Sequence, residues 1–240
     1  MISVCMATYN GALFIKEQLD SILCQIGEDD EVIISDDGST DDTLKIIESL
    51  QDKRIRIINH KHKKNPEYPQ SIVACVTYNF ENALKNCKGD VIFLSDQDDV
   101  WYPDKVKICI DALSGSDLVL SNFSIIDQKG TVVTERYMEN CPFSKNNIFN
   151  IIKPPFLGCC MAFNRSVLKR ALPIPDKVCI HDLWIGLIAN KMGGVSYIDK
   201  PLIYHRFHSN NASNYGKKSE NSLFIKLKYR LGNFWELLHR

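Results

Sequence analysis

At 240 residues the chain is one large domain or two small ones, long enough to bury a sizeable core. Apolar residues make up 45% and charged residues 24%, which excludes a disordered chain. The 29 basic residues balance 29 acidic ones, so no overall field drives the protein onto nucleic acid.

The first 113 residues alternate strand and helix signals. Ile2–Ala7 reads as a short buried strand ending in the turn Thr8-Tyr9-Asn10-Gly11, and Ile15, Leu19, Ile22 and Leu23 then fall at helical spacing. Glu31–Ser35 is a second apolar strand, stopped by Asp36-Asp37-Gly38-Ser39-Thr40. A second helix carries Leu44, Ile47 and Leu50, with Asp41 and Asp42 in its first turn, where carboxylates suit the helix dipole. Arg54–Asn59 reads as a third strand, followed by a polar loop from His60 to Pro69. Val73, Val76, Phe80, Ala83, Leu84 and Cys87 mark a long helix that Gly89 breaks. Val91–Ser95 is the next strand, closed by Asp96-Gln97-Asp98-Asp99, and Pro103 opens a helix to about Leu113. Strands alternating with helices predict an α/β fold with a mostly parallel central sheet and helices on both faces.

The second half changes character. Asp117–Ile126, Gly158–Asn164 and Val195–His205 read as strands, Tyr137–Pro155 as a mobile loop, and His181 or Asp182 to Met192 as a helix. No repeat or low-complexity linker divides the chain, so one continuous domain over residues 1–215 is expected, followed by a basic amphipathic helix over 216–240. The nine cysteines form no CxxC pair and no metal-type Cys/His spacing. Cys5, Cys24, Cys75, Cys87, Cys109 and Cys160 sit inside apolar patterns and read as core thiols of a reducing compartment. With no signal peptide and no apolar stretch near the ~20 residues of a membrane span, a cytoplasmic location is expected.

In an open parallel sheet, ligands bind beyond the carboxyl ends of the strands. Three such ends carry Thr8-Tyr9-Asn10, Asp36-Asp37 and Asp96-Gln97-Asp98-Asp99. Three carboxylates within four residues repel one another unless a cation neutralises them, and an all-oxygen cluster suits Mg²⁺ or Mn²⁺. Such ions complete their shells with water and phosphate, which points to a metal-bound diphosphate at this edge. Either acidic loop taken alone is also what a solvated turn or helix cap looks like. Their pairing on neighbouring strand ends favours a site.

Val4-Cys5-Met6-Ala7-Thr8-Tyr9-Asn10-Gly11, Ser35-Asp36-Asp37-Gly38-Ser39-Thr40-Asp41 and Leu94-Ser95-Asp96-Gln97-Asp98-Asp99-Val100-Trp101 together resemble the nucleotide-sugar half of inverting family-2 glycosyltransferases. The Asp-Gln-Asp-Asp-Val-Trp form is similar to a branch rich in bacterial rhamnosyl- and related polysaccharide transferases. The resemblance covers residues 1 to about 210 and implies the GT-A fold, with residues 1–113 as the nucleotide-sugar half and 114–215 as the acceptor half. It implies that Thr8, Tyr9 and Asn10 border the nucleotide and that Asp37 accepts N3–H of uracil or thymine, hence a UDP- or dTDP-sugar donor. Asp96 and Asp98 match the family's Asp-x-Asp and would hold Mn²⁺ or Mg²⁺, with Asp99 as a substitute. Asp182 in His181-Asp182-Leu183-Trp184 would be the base that deprotonates a saccharide acceptor, although His181 stands where the family usually has Glu. In Tyr204–Asn211, His208 is the first candidate for the metal or diphosphate and Arg206 the second. Gly158 and Trp184 would border the acceptor.

The family's processive members carry Gln-x-x-Arg-Trp and transmembrane helices, neither of which is found here, so addition of a single sugar is expected. In the tail, Phe224, Leu227, Leu231, Phe234, Trp235 and Leu238 lie at helical spacing among Lys226, Lys228, Arg230 and Arg240. This reads either as an interfacial helix that brings the enzyme to a lipid-linked acceptor at the inner face of the membrane, or as a helix docked on its own domain or a second subunit. A phosphatase of the haloacid-dehalogenase type fails because Ser35 stands at the nucleophile position. A nucleotidyltransferase lacks its basic triphosphate loop. A catalytically silent relative that binds nucleotide-sugar and acts as an interaction protein is the remaining alternative.

Overall fold

The computed structural model describes residues 1–61, 63–208 and 223–240. In chain order the elements are β1 (Ile2–Thr8), α1 (Ile15–Leu23), β2 (Glu31–Asp36), α2 (Thr43–Ser49), β3 (Ile55–Asn59), α3 (Ile72–Asn86), β4 (Val91–Ser95), β5 (Val100–Trp101) and α4 (Lys105–Leu113). They continue with β6 (Leu118–Ile126), β7 (Val132–Thr134), α5 (Asn147–Ile152), β8 (Met161–Asn164), α6 (Arg165–Ala171), α7 (His181–Met192), β9 (Val195–Arg206) and α8 (Leu223–His239).

One sheet runs β3-β2-β1-β4-β8-β6-β9-β5, with β7 paired to β6 beside this path. The pairs β3–β2, β2–β1, β1–β4 and β6–β9 are parallel. The antiparallel contacts of β8, β5 and β7 are short. Every residue of β2 and of β6 is buried. A strand buried on both sides of its pleat needs cover on both faces of the sheet, which is why these segments read as continuous apolar runs. A single apolar cluster joins the two halves of the chain, from Val4 and Ile33 through Phe93 to Phe163, Trp184 and Leu202.

The parallel registers place the functional loops. Met6 pairs with Ser95 and Thr8 with Asp36, so β1, β2 and β4 end at one edge in adjacent positions.

Several expectations for the second half are corrected. Tyr137–Pro155 is not wholly loop: Asn146 caps α5 by accepting the Ile148 N–H at 2.9 Å, and the helix buries Asn150 and Ile151. Gly158–Cys160 is a 3₁₀ turn, and the strand starts only at Met161. All nine cysteines are free; of those expected in the core, Cys24 caps the C-terminus of α1 and is exposed, and Cys75 is half-buried. The tail helix is described from Leu223, so the expected boundary at 215/216 lies outside the described residues. Among the described residues no helix is long and apolar enough to cross a membrane.

Candidate active site

Loop β1–α1 is latched to both neighbouring loops. Asn10 takes a left-handed conformation (φ 50°), accepts the Thr40 N–H at 2.8 Å and donates its own N–H to Ser39 Oγ at 2.9 Å. On the other side, Gln97 accepts the Tyr9 N–H and donates to the Tyr9 carbonyl, each at 3.0 Å. A Cβ on Gly11 would lie 2.4 Å from Gln97 Oε1, so glycine is what lets this latch close. The motif Asp96-Gln97-Asp98-Asp99 gives Gln97 no role of its own, although an amide set among three carboxylates is a visible oddity.

Two of the residues expected at the nucleotide serve the loops instead. The Thr8 hydroxyl is buried and donates to Asp36 Oδ2 at 2.8 Å. Asp36 also accepts the Gly38 and Ser39 N–H groups and the Ser39 hydroxyl, which makes it the staple of the second loop. The side chains of Thr8 and Asn10 therefore hold the loop backbones in place. Tyr9 is exposed. The neighbour of the staple, Asp37, donates its N–H to the Thr8 carbonyl at 3.0 Å, and its carboxylate lies 4.0 Å from His60 Nε2.

The acidic loop splits into an inner and an outer pair. Asp99 is fully buried, accepts from His205 Nδ1 at 2.8 Å and accepts the Arg206 N–H at 3.1 Å. Burial opposes a charged imidazole at His205, but the Asp99 carboxylate, helped by Asp96, outweighs it and lifts the group to about 10. Asp99 and His205 thus form a buried ion pair through Asp99 Oδ1. Asp98 lies further out and meets His208 Nε2 at 2.7 Å. Asp96 is pushed up to about 8, first by desolvation and then by the Asp99 and Asp98 carboxylates.

A divalent cation fits this cluster. Asp99 Oδ2 is buried without a hydrogen-bond partner, and Asp96 carries a repulsion that a cation would reverse. Donor atoms of Asp96, Asp99, Cys159 and His205 lie within 4.8 Å of one another. In that group His205 is already paired with Asp99, and the Cys159 thiol is raised well above its ordinary value, by a bond to Cys160 first and then by burial. Asp98 and His208, expected with Asp96 to hold the ion, meet each other at 2.7 Å and are not part of that group.

Arg206 does not face this cluster. It is buried, donates to the Asp98 carbonyl at 2.9 Å and to Glu17 at 2.7 Å, and lies over the Phe14 ring. It pins the acidic loop to α1.

The second half of the chain supplies Asp182, the second residue of α7. Its Oδ2 accepts the Gly158 N–H at 3.0 Å and its Oδ1 the Leu183 N–H at 2.7 Å. Desolvation raises the carboxyl to about 6 against the pull of those backbone donors. Its charge is felt at Asp96, so the two halves meet here. Gly158 is therefore a backbone support for Asp182. Beside it, His181 stacks on Phe80 with ring centroids 4.1 Å apart, and burial drives it down to about 3. The neutral imidazole accounts for a histidine preceding the carboxylate in a packed site. Trp184, expected at the acceptor, is fully buried with its indole N–H donated to the Ala171 carbonyl at 2.9 Å. It belongs to the core beneath α7. Lys105, which carried no sequence signal, is fully buried and donates to the Cys159 carbonyl at 2.9 Å, bracing the 3₁₀ turn.

A dTDP-rhamnosyl transferase, RfbG of Shigella flexneri, is 32% identical over 221 residues, covering 86% of this chain and 72% of its own. Against eight curated relatives the chain spans from 27% to 72% of their length, and less than two thirds of most of them. The solved structure of S. aureus TarS 1–349 with UDP-GlcNAc superposes with a TM-score of 0.67 at 20% identity, over 91% of this chain and 62% of that one. The mannosyltransferase PcManGT from Pyrobaculum calidifontis, with GDP-Man and Mn²⁺, gives 0.59 at 19% identity, over 99% and 72%. The fold is the GT-A type of these glycosyltransferases. The model of the family described as glycosyl transferase family 2 matches residues 3–172, which hold the three loops and the Gly158 turn, and the chain belongs to that family.

Proposed function

We propose that the protein is a metal-dependent, inverting, non-processive transferase. It moves one sugar from a UDP- or dTDP-sugar to a saccharide hydroxyl, in the synthesis of a bacterial surface polysaccharide. The observation that carries this reading is the position of Asp182: a half-buried carboxylate raised to about 6, held by two backbone donors, with its charge felt at Asp96. The relationship to a dTDP-rhamnosyl transferase at 32% identity favours dTDP-rhamnose among the donors.

Asp37 accepts N3–H of the base, which uracil and thymine both offer. Asp98, Asp96 and His208 hold the cation, which when bound stabilises the negative charge that grows on the departing diphosphate. Asp182 takes the proton of the acceptor hydroxyl as that oxygen bonds to the anomeric carbon. The bond from that carbon to the diphosphate oxygen breaks on the opposite face, and its electron pair leaves with the diphosphate. A base near 6 is mostly ionised at neutral pH and still strong enough to accept the proton. Gly158 keeps the carboxylate aimed while the charge on it changes.

The test uses water as the acceptor. Proton NMR of slow donor hydrolysis with Mn²⁺ should show the released sugar first in the anomeric configuration opposite to that of the donor. Release with retained configuration, or undiminished release from Asp182→Asn, contradicts the mechanism.

A further inference from the structure

Helix α8 is bound to the domain on one side only. Gly232, Asn233 and Leu237 are its buried residues. A Cβ at position 232 would stand 2.6 Å from the Lys177 carbonyl, so the helix lies directly on the strand of chain that leads to Asp182. Lys191, near the end of α7, donates to the Leu237 carbonyl at 2.8 Å. The helix is thus fastened to both ends of the segment that carries the base.

Its other side is apolar and open to solvent. Leu223, Phe224, Leu227, Leu231, Phe234, Trp235 and Leu238 are all exposed, from 42% at Phe234 to 85% at Leu223. At about 100° per residue these seven positions fall within an arc of roughly 120°. Helix α5 extends the surface: it contacts α8, Arg230 donates to its Ile152 carbonyl at 2.7 Å, and Ile148, Phe149 and Ile152 are each more than half exposed. A water-facing helix would carry charge on this arc. Contiguous apolar surface spread over two helices marks a contact.

Charge selects the partner. Residues 223–240 hold Lys226, Lys228, Arg230 and Arg240 against Glu236, with Lys228 paired to Glu67 at 2.9 Å, and between Glu139 and Asp176 the chain has no acidic residue at all while Lys145 and Lys153 flank α5. A symmetric dimer through this face would set that cationic rim against itself. An anionic lipid surface accepts both the apolar arc and the rim, and Phe234 and Trp235 supply the aromatic groups favoured at the headgroup level. We infer that α8 and α5 together form a docking face for an anionic bilayer. Docked this way, the helix whose first turn carries Asp182 is held at a fixed relation to the membrane. Two helices far apart in sequence share the face, so the tail alone is only part of it.

The test is flotation of the full chain with vesicles of phosphatidylcholine alone and of phosphatidylcholine mixed with phosphatidylglycerol, alongside sedimentation velocity without lipid. Wild type should float with the mixed vesicles, much less with the neutral ones, and release in high salt. The double variant Leu227→Glu/Leu231→Glu and, separately, Phe149→Glu should each bind at least ~10-fold less. Their melting temperatures and nucleotide-induced shifts should match wild type, because the substituted side chains face solvent away from the site. These shifts keep the result separate from the transferase reading. No vesicle binding by wild type, equal binding to neutral vesicles, or unchanged binding by the variants overturns the inference. So does a lipid-indifferent dimer that the same substitutions dissociate, which would assign the face to a second copy.

Discussion

The Asp182 carboxylate accepts the Gly158 N–H at 3.0 Å, a contact that joins the first turn of α7 to the 3₁₀ turn ahead of β8. The isosteric carboxamide can still accept the Gly158 N–H through its single oxygen, and gives up only the contact with the Leu183 N–H. Asp182→Asn should therefore keep the fold and the nucleotide affinity while transfer drops at least ~100-fold, the low end for removing a general base. The check is a rate assay beside nucleotide titration calorimetry; a rate within a few-fold of wild type removes Asp182 from the mechanism.

The raised carboxyl makes two pH predictions of opposite sense. Because the ionised form is the base, kcat/KM should fall about tenfold per pH unit below about 6 and level off above it. Burial favours the protonated form in the folded state, so this group's contribution to stability declines as pH rises from its unfolded value near ~3.9 through about 6. Asp182→Asn lacks that decline. Its melting temperature should therefore gain on wild type between pH 4 and pH 7, and a gap that does not change with pH contradicts the burial argument.

The first half of the fold was readable because its strands are short apolar runs separated by amphipathic helices, and each loop is written in Asp, Asn, Gly and Thr. Its three motifs lie at one sheet edge because β2, β1 and β4 are neighbours in a parallel sheet. The second half was less legible for physical reasons. Helix α5 is one and a half turns long with a weak stripe, so its Asn cap was a better signal than its periodicity. Gly158–Cys160 is apolar like a strand but turns, because its backbone serves Asp182 and Lys105 from another part of the chain. Thr8 and Trp184 had suitable chemistry for a ligand, and tertiary hydrogen bonds to Asp36 and Ala171 consume it. Neighbouring aspartates with opposite duties, Asp36 against Asp37 and Asp98 against Asp99, cannot be told apart until their partners are placed.

Asp98 and Asp99 should accordingly behave differently on substitution. Asp99→Ala leaves a buried imidazolium at His205 without its counter-ion and should cost about 3–5 kcal/mol of stability near neutral pH. Asp98→Ala lies nearer the surface and should melt close to wild type, yet lose Mn²⁺-dependent nucleotide binding. Denaturant unfolding and calorimetry separate the two; full Mn²⁺-dependent affinity in Asp98→Ala refutes its ligand role.

The Gln97 latch makes a coupling prediction. Gln97→Ala removes two hydrogen bonds between loops, each worth about 1 kcal/mol, and should weaken nucleotide binding several-fold with a small change in melting temperature. Gly11→Ala displaces the same amide and should mimic it. In the double variant the effects should not add, because the second change finds the latch already open. Additive losses would show that Gly11 acts elsewhere.

The most direct test is the melting temperature of the purified chain with UDP, dTDP, GDP and CMP, each with Mn²⁺ and with EDTA. A ligand that binds only the folded state must raise it. Stabilisation by UDP or dTDP that requires Mn²⁺ is the expected result. A response to no nucleotide, or one that survives EDTA unchanged, would contradict a metal-dependent nucleotide-sugar site.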